Sequence, residues 1–209
     1  MMPAASAPIR LRQRGVNLIE VMVALIVMGL VLTQLVPYVA EWLQNLKLRN
    51  AAESMRGGIE RARMESLRRN TNVTFWMVVD ANSNVPGANC AVSSSSAAWV
   101  VSVGNPAGKC DTKPSMTDDL QLSSRSQALE VSSILSVSGV SSGNNSANHV
   151  TFNGLGQVVA DGSNPIQVIN VAPTSGNARP LRVVVQAGGA IRTCDPAVAS
   201  DDPRVCPNL

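Results

Sequence analysis

Histidine and aromatic residues are scarce in this chain of 209 residues. Aromatic residues make up 3% of it, so it has few of the stacking platforms on which proteins bind single-stranded nucleic acid. His149 is its one histidine, which argues against a histidine-rich zinc site and a Ser-His-Asp triad. The sequence has no G-x-G-x-x-G motif and no P-loop, and the serines at 93–96 are typical of a loop. No motif predicts an enzyme or a nucleotide-binding fold.

Charge is also sparse and is unevenly distributed. Charged residues are 15% of the chain and apolar residues 45%, which excludes a disordered or collagen-like class. The formal net charge is +3, and three arginines without a nearby acid account for it: Arg10, Arg12 and Arg14. The remainder of the chain is neutral.

A long apolar run follows these arginines. It extends from Val16 to Ala40 and is interrupted only by Asn17, Glu20, Thr33 and Gln34. About 25 helical residues extend roughly 37 Å, which is enough to cross a bilayer core with some tilt. Since the basic residues precede the run, we expect the N-terminus in the cytoplasm and the rest of the chain on the other side.

Two simpler interpretations compete for this segment. A cleaved secretory signal has a shorter apolar stretch and a small-residue cleavage site. A plain single-span anchor explains the length but not the carboxylate of Glu20 near the start of the span. A charge at that depth costs about 2–3 kcal/mol and normally marks a function.

Residues 14–24, Arg-Gly-Val-Asn-Leu-Ile-Glu-Val-Met-Val-Ala, resemble the class III signal of type IV prepilins and type II secretion pseudopilins. The resemblance implies that a membrane-embedded prepilin peptidase cleaves between Gly15 and Val16 and methylates the new N-terminus of Val16. Glu20 is then the fifth mature residue, where the family has its acid, and Pro37 also falls at a family position. The sequence departs from the family pattern at the first two mature residues, which are Val and Asn here instead of Phe and Thr.

The physical chemistry of Glu20 agrees with the role that the family gives it. A carboxylate in hydrocarbon needs a cationic partner, and the α-amino group of a neighbouring subunit's Val16 can supply it. Such a pair sets the axial step between subunits, as a polar residue sets the register of a coiled coil. Pro37 removes one backbone hydrogen bond, so we expect a kink there.

After Pro37 the sequence predicts an amphipathic helix that ends at residues 70–72. A stripe at steps of four, three, four and three faces a core; its members are Leu48, Ala52, Met55, Ile59 and Ala62. The other face carries basic residues offset by Glu53, Glu60 and Glu65, with Glu60 and Glu65 spaced to pair with Arg63 and Arg61. This face is interpreted as solvated, with a basic strip for an acidic partner as the alternative.

The rest of the chain is predicted to form strands that are rich in Val and Ile and are separated by turn residues. The predicted strands are 72–79, 97–104, 127–137, 149–153, 156–159, 166–171 and 180–193. Residues 139–148 are rich in Ser, Gly and Asn and predict a long mobile loop. The economical architecture is α+β, a long N-terminal α-helix packed on an antiparallel β-sheet.

Further segments resemble the FimT/GspH-like group of minor pilins. They are residues 49–63, 69–70, Val150–Gly156, Cys194–Pro196 and Asp202–Cys206. The resemblance implies the pilin fold. It divides the chain into a cytoplasmic leader peptide at 1–15, a transmembrane and filament-core helix at 16–40, its amphipathic continuation at 41–71 and a periplasmic β-rich head domain at 72–209.

The resemblance also implies a function: a minor pilin that primes or tips a type IV pilus, not an enzyme and without a cofactor. Its partners are then other pilin or pseudopilin subunits, the prepilin peptidase and inner-membrane lipid. The protein is then first a single-pass protein of the bacterial inner membrane and later a part of the filament. One alternative is a minor pseudopilin of a type II secretion system. Another is a periplasmic binding domain or hydrolase on a permanent anchor.

All four cysteines follow the span, and in the periplasm they are expected to form disulfides. They are Cys90, Cys110, Cys194 and Cys206. Three pairings are possible, and the nearest-neighbour one, which closes two short loops, is favoured. Each loop contributes about 3 kcal/mol on the chain-entropy model. A metal site is disfavoured because there is no C-x-x-C motif.

DNA is a candidate partner because the DNA-binding members of this group have a C-terminal Gly-Arg-x-Arg pattern. Here the pattern reads Gly189-Ala190-Ile191-Arg192, with one of the two arginines. The candidate DNA-binding residues are Arg179, Arg182, Arg192 and Arg204. Three acids in the same segment leave a net charge of +1, which is weak for phosphate-driven binding, so ordinary strand and loop arginines are the competing interpretation.

Overall fold

The computed structural model of the protein describes residue 15 and residues 17–81, 85–127, 135–160 and 162–207. The chain divides into two compact units, one within residues 1–40 and one within residues 41–209. One helix, α1 Leu18–Arg69, contributes to both.

The first unit is the apolar half of α1. The helix begins where the Asn17 carbonyl accepts hydrogen bonds from the backbone N–H groups of Glu20 at 3.0 Å and Val21 at 3.3 Å. An 18-residue window of this half has a mean hydropathy of 2.4, and none of that window is buried. This half is therefore long and apolar enough to span a membrane, and none of the described residues covers it.

The second half of α1 packs into the core of the second unit. All five residues of the predicted apolar stripe are fully buried, which confirms that prediction. The helix ends at Arg69, and Asn70 adopts a left-handed conformation with φ of 49°. The Thr71 N–H then donates to the Ser66 carbonyl at 3.3 Å, which closes the last turn where the sequence predicts the end of the helix.

Among the described residues after α1 there are nine strands and a short 3-10 helix at Ser142–Asn144. They are β1 Val73–Asp80, β2 Cys90–Val92, β3 Ala98–Ser102, β4 Ser124–Arg125, β5 Leu135–Val140, β6 His149–Phe152, β7 Val168–Pro173, β8 Leu181–Val185 and β9 Ile191–Cys194.

The strands form two sheets whose paired strands are all antiparallel. The first sheet has the order β2-β1-β3-β4, with β6 also paired to β1. Its register places Phe75 opposite Val101 and Val150 on the neighbouring strands. The second sheet has the order β5-β7-β8-β9 and places Ile169 opposite Val183.

The main core lies between α1 and the inner faces of both sheets. Phe75, Phe152 and Ile169 are fully buried in it, together with the apolar stripe of the helix. Gly58 allows a close approach of α1 to β3, because a Cβ atom there would lie 2.7 Å from Cδ2 of Trp99. One helix on antiparallel sheets confirms the predicted α+β class.

A smaller core lies on the outer face of the first sheet. It contains Val78, Val100, Leu120 and Leu122, all buried. The segment after β3 therefore folds back over the sheet instead of extending into solvent.

Several strand predictions need correction. The predicted strand 180–193 is two strands, because a turn at Gly188–Gly189 separates β8 from β9. Residues 156–159 form only a single bridge, from Val158 to Phe152. The prediction at 127–137 falls mostly on residues 128–134, outside the described residues. The short strands β2 and β4 were not predicted, because two or three residues give no readable alternation.

The predicted mobile loop at residues 139–148 is wrong in its first part. Gly139 and Val140 belong to β5, and the Ala147 N–H donates to the Gly139 carbonyl at 2.9 Å. A Cβ atom at residue 139 would lie 2.9 Å from the sulfur of Met77, so the glycine permits close backbone packing that its composition does not reveal.

Candidate functional site

The N-terminal site is described in part. Gly15 and Asn17 are exposed, whereas residues 1–14 and Val16 lie outside the described residues. Glu20 lies in the first turn of α1 and is exposed. The partial positive charge of a helix N-terminus favours an acidic residue in this turn.

The apolar half of α1 presents an uncovered surface on all sides. Its large apolar residues are each about half or more exposed; they are Leu18, Ile19, Val21, Met22, Val23, Leu25, Ile26, Val27, Met28, Leu30, Val31 and Leu32. A helix that is apolar all round needs lipid or other chains around it. Pro37 lies inside α1, but its side chain is outside the described residues, so the predicted kink stays a prediction.

The four cysteines form two disulfides, in the nearest-neighbour pairing. Cys90 joins Cys110 with Cα atoms 6.1 Å apart, beside the smaller core. Cys194 joins Cys206 with Cα atoms 5.0 Å apart. The second disulfide fastens the C-terminal segment to β9, where the Asp195 N–H also donates to the Arg204 carbonyl at 2.9 Å.

A tight turn follows β6 in the segment 150–156. The Asn153 side-chain oxygen accepts hydrogen bonds from the N–H groups of Leu155 and Gln157, both at 3.0 Å. Gly156 adopts a φ of +73°, and its carbonyl accepts a hydrogen bond from Nε of Arg63 on α1 at 3.1 Å. The turn is thereby fixed against the helix.

The basic face of α1 is paired differently from the prediction. Glu60 bonds Arg56 at 2.8 Å instead of Arg63, and Glu65 bonds Arg68 at 2.8 Å and Arg69 at 3.1 Å instead of Arg61. All these pairs join residues three or four apart, so spacing alone does not distinguish the observed pairs from the predicted ones.

The four arginines proposed for DNA divide into two pairs. Arg182 and Arg192 lie on the outer face of the second sheet, since they alternate with Val183 and Thr193 along β8 and β9. Arg182 donates from Nε to the side-chain oxygen of Asn170 at 2.9 Å. The other two, Arg179 and Arg204, line a cavity beside α1.

This cavity has a volume of about 500 Å³. It is lined by Trp42, Asn45, Leu46, Arg49, Arg179, Leu181, Thr193, Cys194, Asp195 and Arg204. The Asn45 side-chain oxygen accepts the backbone N–H of Arg179 at 3.0 Å, which holds the segment before β8 against the helix. Asp202 accepts two hydrogen bonds from the Arg204 guanidinium, at 3.0 and 2.7 Å, and these bonds lower the pKa of Asp202 to about 2.

The described residues contain no group of three His, Cys, Asp or Glu side chains that could hold a metal ion. His149 stacks on Trp76 with ring centroids 4.9 Å apart, and its Nδ1 lies 2.8 Å from the side-chain oxygen of Asn148. The geometry around the histidine is thus that of a packed surface side chain.

The sequence model of the family described as type II transport protein GspH matches residues 51–189 of this chain, well over half of its length. The chain belongs to the GspH family. It is a structural subunit of the minor pilin and pseudopilin group, which confirms the family and the general function predicted from the sequence.

Among solved structures, this GspH-family chain is distantly similar to the type IV minor pilin FimU of Pseudomonas aeruginosa. Two crystal forms of FimU match with TM-scores of 0.46 and 0.44, each at 12% identity. The matches cover 77% and 73% of this chain and 97% of FimU in both cases. No curated protein matches the chain.

The matched range places some features inside the family pattern and others beyond it. The Asn153 turn and the contact of Arg63 with Gly156 lie inside, and the match ends at Gly189. The Cys194–Cys206 disulfide and two of the candidate arginines follow the matched range, and the apolar half of α1 precedes it.

The predictions from the sequence do not state that Arg49 lines the cavity, that Arg63 bonds the Gly156 carbonyl or that Asn153 closes the turn after β6. The Asn-Gly-x-Gly sequence at 153–156 is a readable turn signal, so the turn was open to prediction. Nothing in the spacing distinguishes Arg63, which bonds a carbonyl 93 residues away, or Arg49, which lines the cavity, from the other arginines of the helix.

Proposed function

We propose that this GspH-family chain is a minor pilin of a type IV pilus, made as a precursor and held in the bacterial inner membrane before assembly. The carrying observation is the apolar half of α1, which none of the chain's own described residues cover. A helix of this kind is stable in lipid and in the helical centre of a filament, and so serves both stages.

In this proposal a prepilin peptidase removes residues 1–15 and methylates the amine of Val16. Residues 16–40 then form a single span, and residues 72–209 form the head domain in the periplasm, with residues 41–71 continuing the helix into it. Arginines before the span and none directly after it support this orientation. We expect no catalytic activity and no bound cofactor.

Glu20 sets the register of the subunit in the filament by pairing with the free amine of a neighbour's Val16. The exposure of Glu20 in the first turn of α1 supports this role, because the carboxylate is accessible to a second chain. Formation of the ion pair is favourable because an unpaired charge in an apolar environment costs several kcal/mol.

Replacing Glu20 tests the register role. A Glu20→Ala variant keeps the cleavage sequence, so we expect normal removal of residues 1–15. We expect at least about a tenfold loss of incorporation into filaments, because losing about 1.4 kcal/mol of binding free energy between subunits lowers their association tenfold. Glu41→Ala removes an exposed acid just after the span and serves as the matched control. Quantitative immunoblots of sheared filaments measure incorporation; wild-type levels for Glu20→Ala contradict the role.

A pseudopilin of a type II secretion system is the second candidate, favoured by the description of the matching family. Deletion of the protein distinguishes the two: a minor pilin is required for surface pili, and a pseudopilin for release of secreted proteins. A permanently anchored periplasmic binding domain or hydrolase predicts instead an uncut N-terminus. DNA contact stays a prediction, and the division of the four arginines into two pairs does not add support to it.

A further inference from the structure

The cavity lined by Arg49, Arg179 and Arg204 lies at an informative position along α1. The apolar run ends at Ala40, two residues before Trp42 in the cavity wall. Two residues extend at most about 7 Å, so Trp42 lies within about 7 Å of the end of the run. The headgroup layer of a bilayer is roughly 5–8 Å thick on each side. Trp42 therefore falls within that layer when the run spans a membrane.

The side chains of the cavity suit this boundary. Trp42 is 60% exposed, and tryptophan is enriched where a membrane meets water. Arg49 is exposed and lines the same cavity as Trp42.

Two of the three arginines are available to an anion. Asp202 holds the Arg204 guanidinium, and the buried Asp195 carboxylate accepts the Ala197 N–H at 2.8 Å. Within the part of the chain that the structure describes, the side chains of Arg49 and Arg179 take part in no hydrogen bond or salt bridge, although Arg179 acts electrostatically on Asp202. The cavity thus offers two guanidinium groups beside the apolar side chains of Trp42 and Leu46, with Asp195 as the acid in its lining.

We propose that this cavity binds the headgroup of an anionic phospholipid, with the phosphate between Arg49 and Arg179 and the glycerol against Trp42 and Leu46. Guanidinium groups match phosphate oxygens with paired hydrogen bonds, and a volume of about 500 Å³ accommodates a glycerophosphate group. The proposal rests on the membrane anchoring described under the proposed function. Its consequence is a subunit that prefers anionic lipid while it waits for assembly.

The test is native mass spectrometry of the full-length chain in neutral detergent, with phosphatidylglycerol or phosphatidylcholine of the same acyl chains added. We expect a preference for phosphatidylglycerol of roughly fivefold or more in the unmodified chain. We expect the variant Arg49→Gln/Arg179→Gln to lose this preference. The matched control is Arg182→Gln/Arg192→Gln, which makes the same change of charge on the outer face of the second sheet and is expected to keep the preference. Thermal unfolding of both variants checks that they fold.

Three results overturn the proposal: no preference in the unmodified chain, an equal loss in both double variants, or displacement of the lipid by millimolar inorganic phosphate, which assigns the cavity to a free anion. Binding of a short DNA duplex that competes with the lipid and depends on Arg49 and Arg179 also overturns it, in favour of a nucleic-acid site.

The same spectra show whether residues 1–15 are present. Lipid selectivity in a chain that keeps residues 1–15 although it was made in cells with a prepilin peptidase supports the lipid site and contradicts the proposed processing.

Discussion

At the scale of single residues, one junction connects the helix to both sheets. Gly156 follows β6 of the first sheet, and Gly189 lies in the turn before β9 of the second. Both have positive φ, +73° and +82°, and Arg63 of α1 donates to the Gly156 carbonyl. A Cβ atom at Gly189 would overlap that carbonyl, so the glycine of the Gly-Ala-Ile-Arg sequence has a structural role that is independent of DNA.

We expect Gly189→Ala to destabilise the protein substantially. The strained φ alone costs about 1–3 kcal/mol, and the overlap with the Gly156 carbonyl adds to it. Gly188→Ala is the matched control, because a Cβ atom there meets nothing within 4 Å, and we expect a change within about 0.5 kcal/mol. Urea unfolding of both variants measures the difference; equal stabilities contradict the junction.

Glu65 is a second residue that joins elements, because it accepts hydrogen bonds from Arg68 and Arg69 on α1 and from Ser123 before β4 at 2.8 Å. Its partial burial acts to raise its pKa, but the three hydrogen-bond donors outweigh burial and hold the pKa below its ordinary value of 4.5. The ionised carboxylate is thus stabilised by folding.

This lowered pKa predicts the sign of a pH effect. The contribution of Glu65 is present in full above its unfolded pKa and is lost as the pH falls through the folded pKa. We expect Glu65→Gln to be less stable than the unmodified protein at pH 7, and the difference to shrink as the pH falls from the ordinary glutamate pKa of 4.5 through the lower pKa of the folded protein. Glu53→Gln, at an exposed acid of the same helix, is the control. A difference that is independent of pH in chemical denaturation would contradict the assignment.

At the scale of elements, the sequence predicts long periodic segments well and short ones poorly. The stripe from Leu48 to Ala62 predicts the buried face of α1 because five apolar residues repeat at helical spacing. The prediction of one strand at 180–193 follows the Val and Ile residues on both sides of Gly188–Gly189, whereas two adjacent glycines are themselves a readable hairpin-turn signal. Ser124–Arg125 carries no pattern at all.

The C-terminal segment depends on its disulfide more than on packing. Cys194–Cys206 closes a loop with a sequence separation of 12, and most residues from 196 to 204 are exposed. We expect Cys194→Ser/Cys206→Ser to lose about 2–3 kcal/mol. Hydrogen exchange at the Asp195 amide, which donates to the Arg204 carbonyl, is expected to accelerate more than exchange in β1. Unchanged protection at Asp195 would show that packing alone holds the segment.

At the scale of the whole molecule, the two candidate sites differ in how far the sequence predicts them. The segment around Gly15 and Glu20 is contiguous, so its motif is readable from the order of the residues alone. The cavity brings Arg49 together with Arg179 and Arg204, more than a hundred residues later, and only the fold shows that Arg182 and Arg192 lie elsewhere. Long-range proximity of this kind leaves no periodic signal in one sequence.

The proposed assembly depends on how the N-terminus is processed, because in this proposal a filament subunit needs the free amine that cleavage after Gly15 would create. The most direct measurement is the intact mass of the protein extracted from membranes of cells with and without a prepilin peptidase. We expect loss of residues 1–15 and gain of one methyl group only when the peptidase is present. A chain that still begins at Met1 in cells that process other pilins would contradict it.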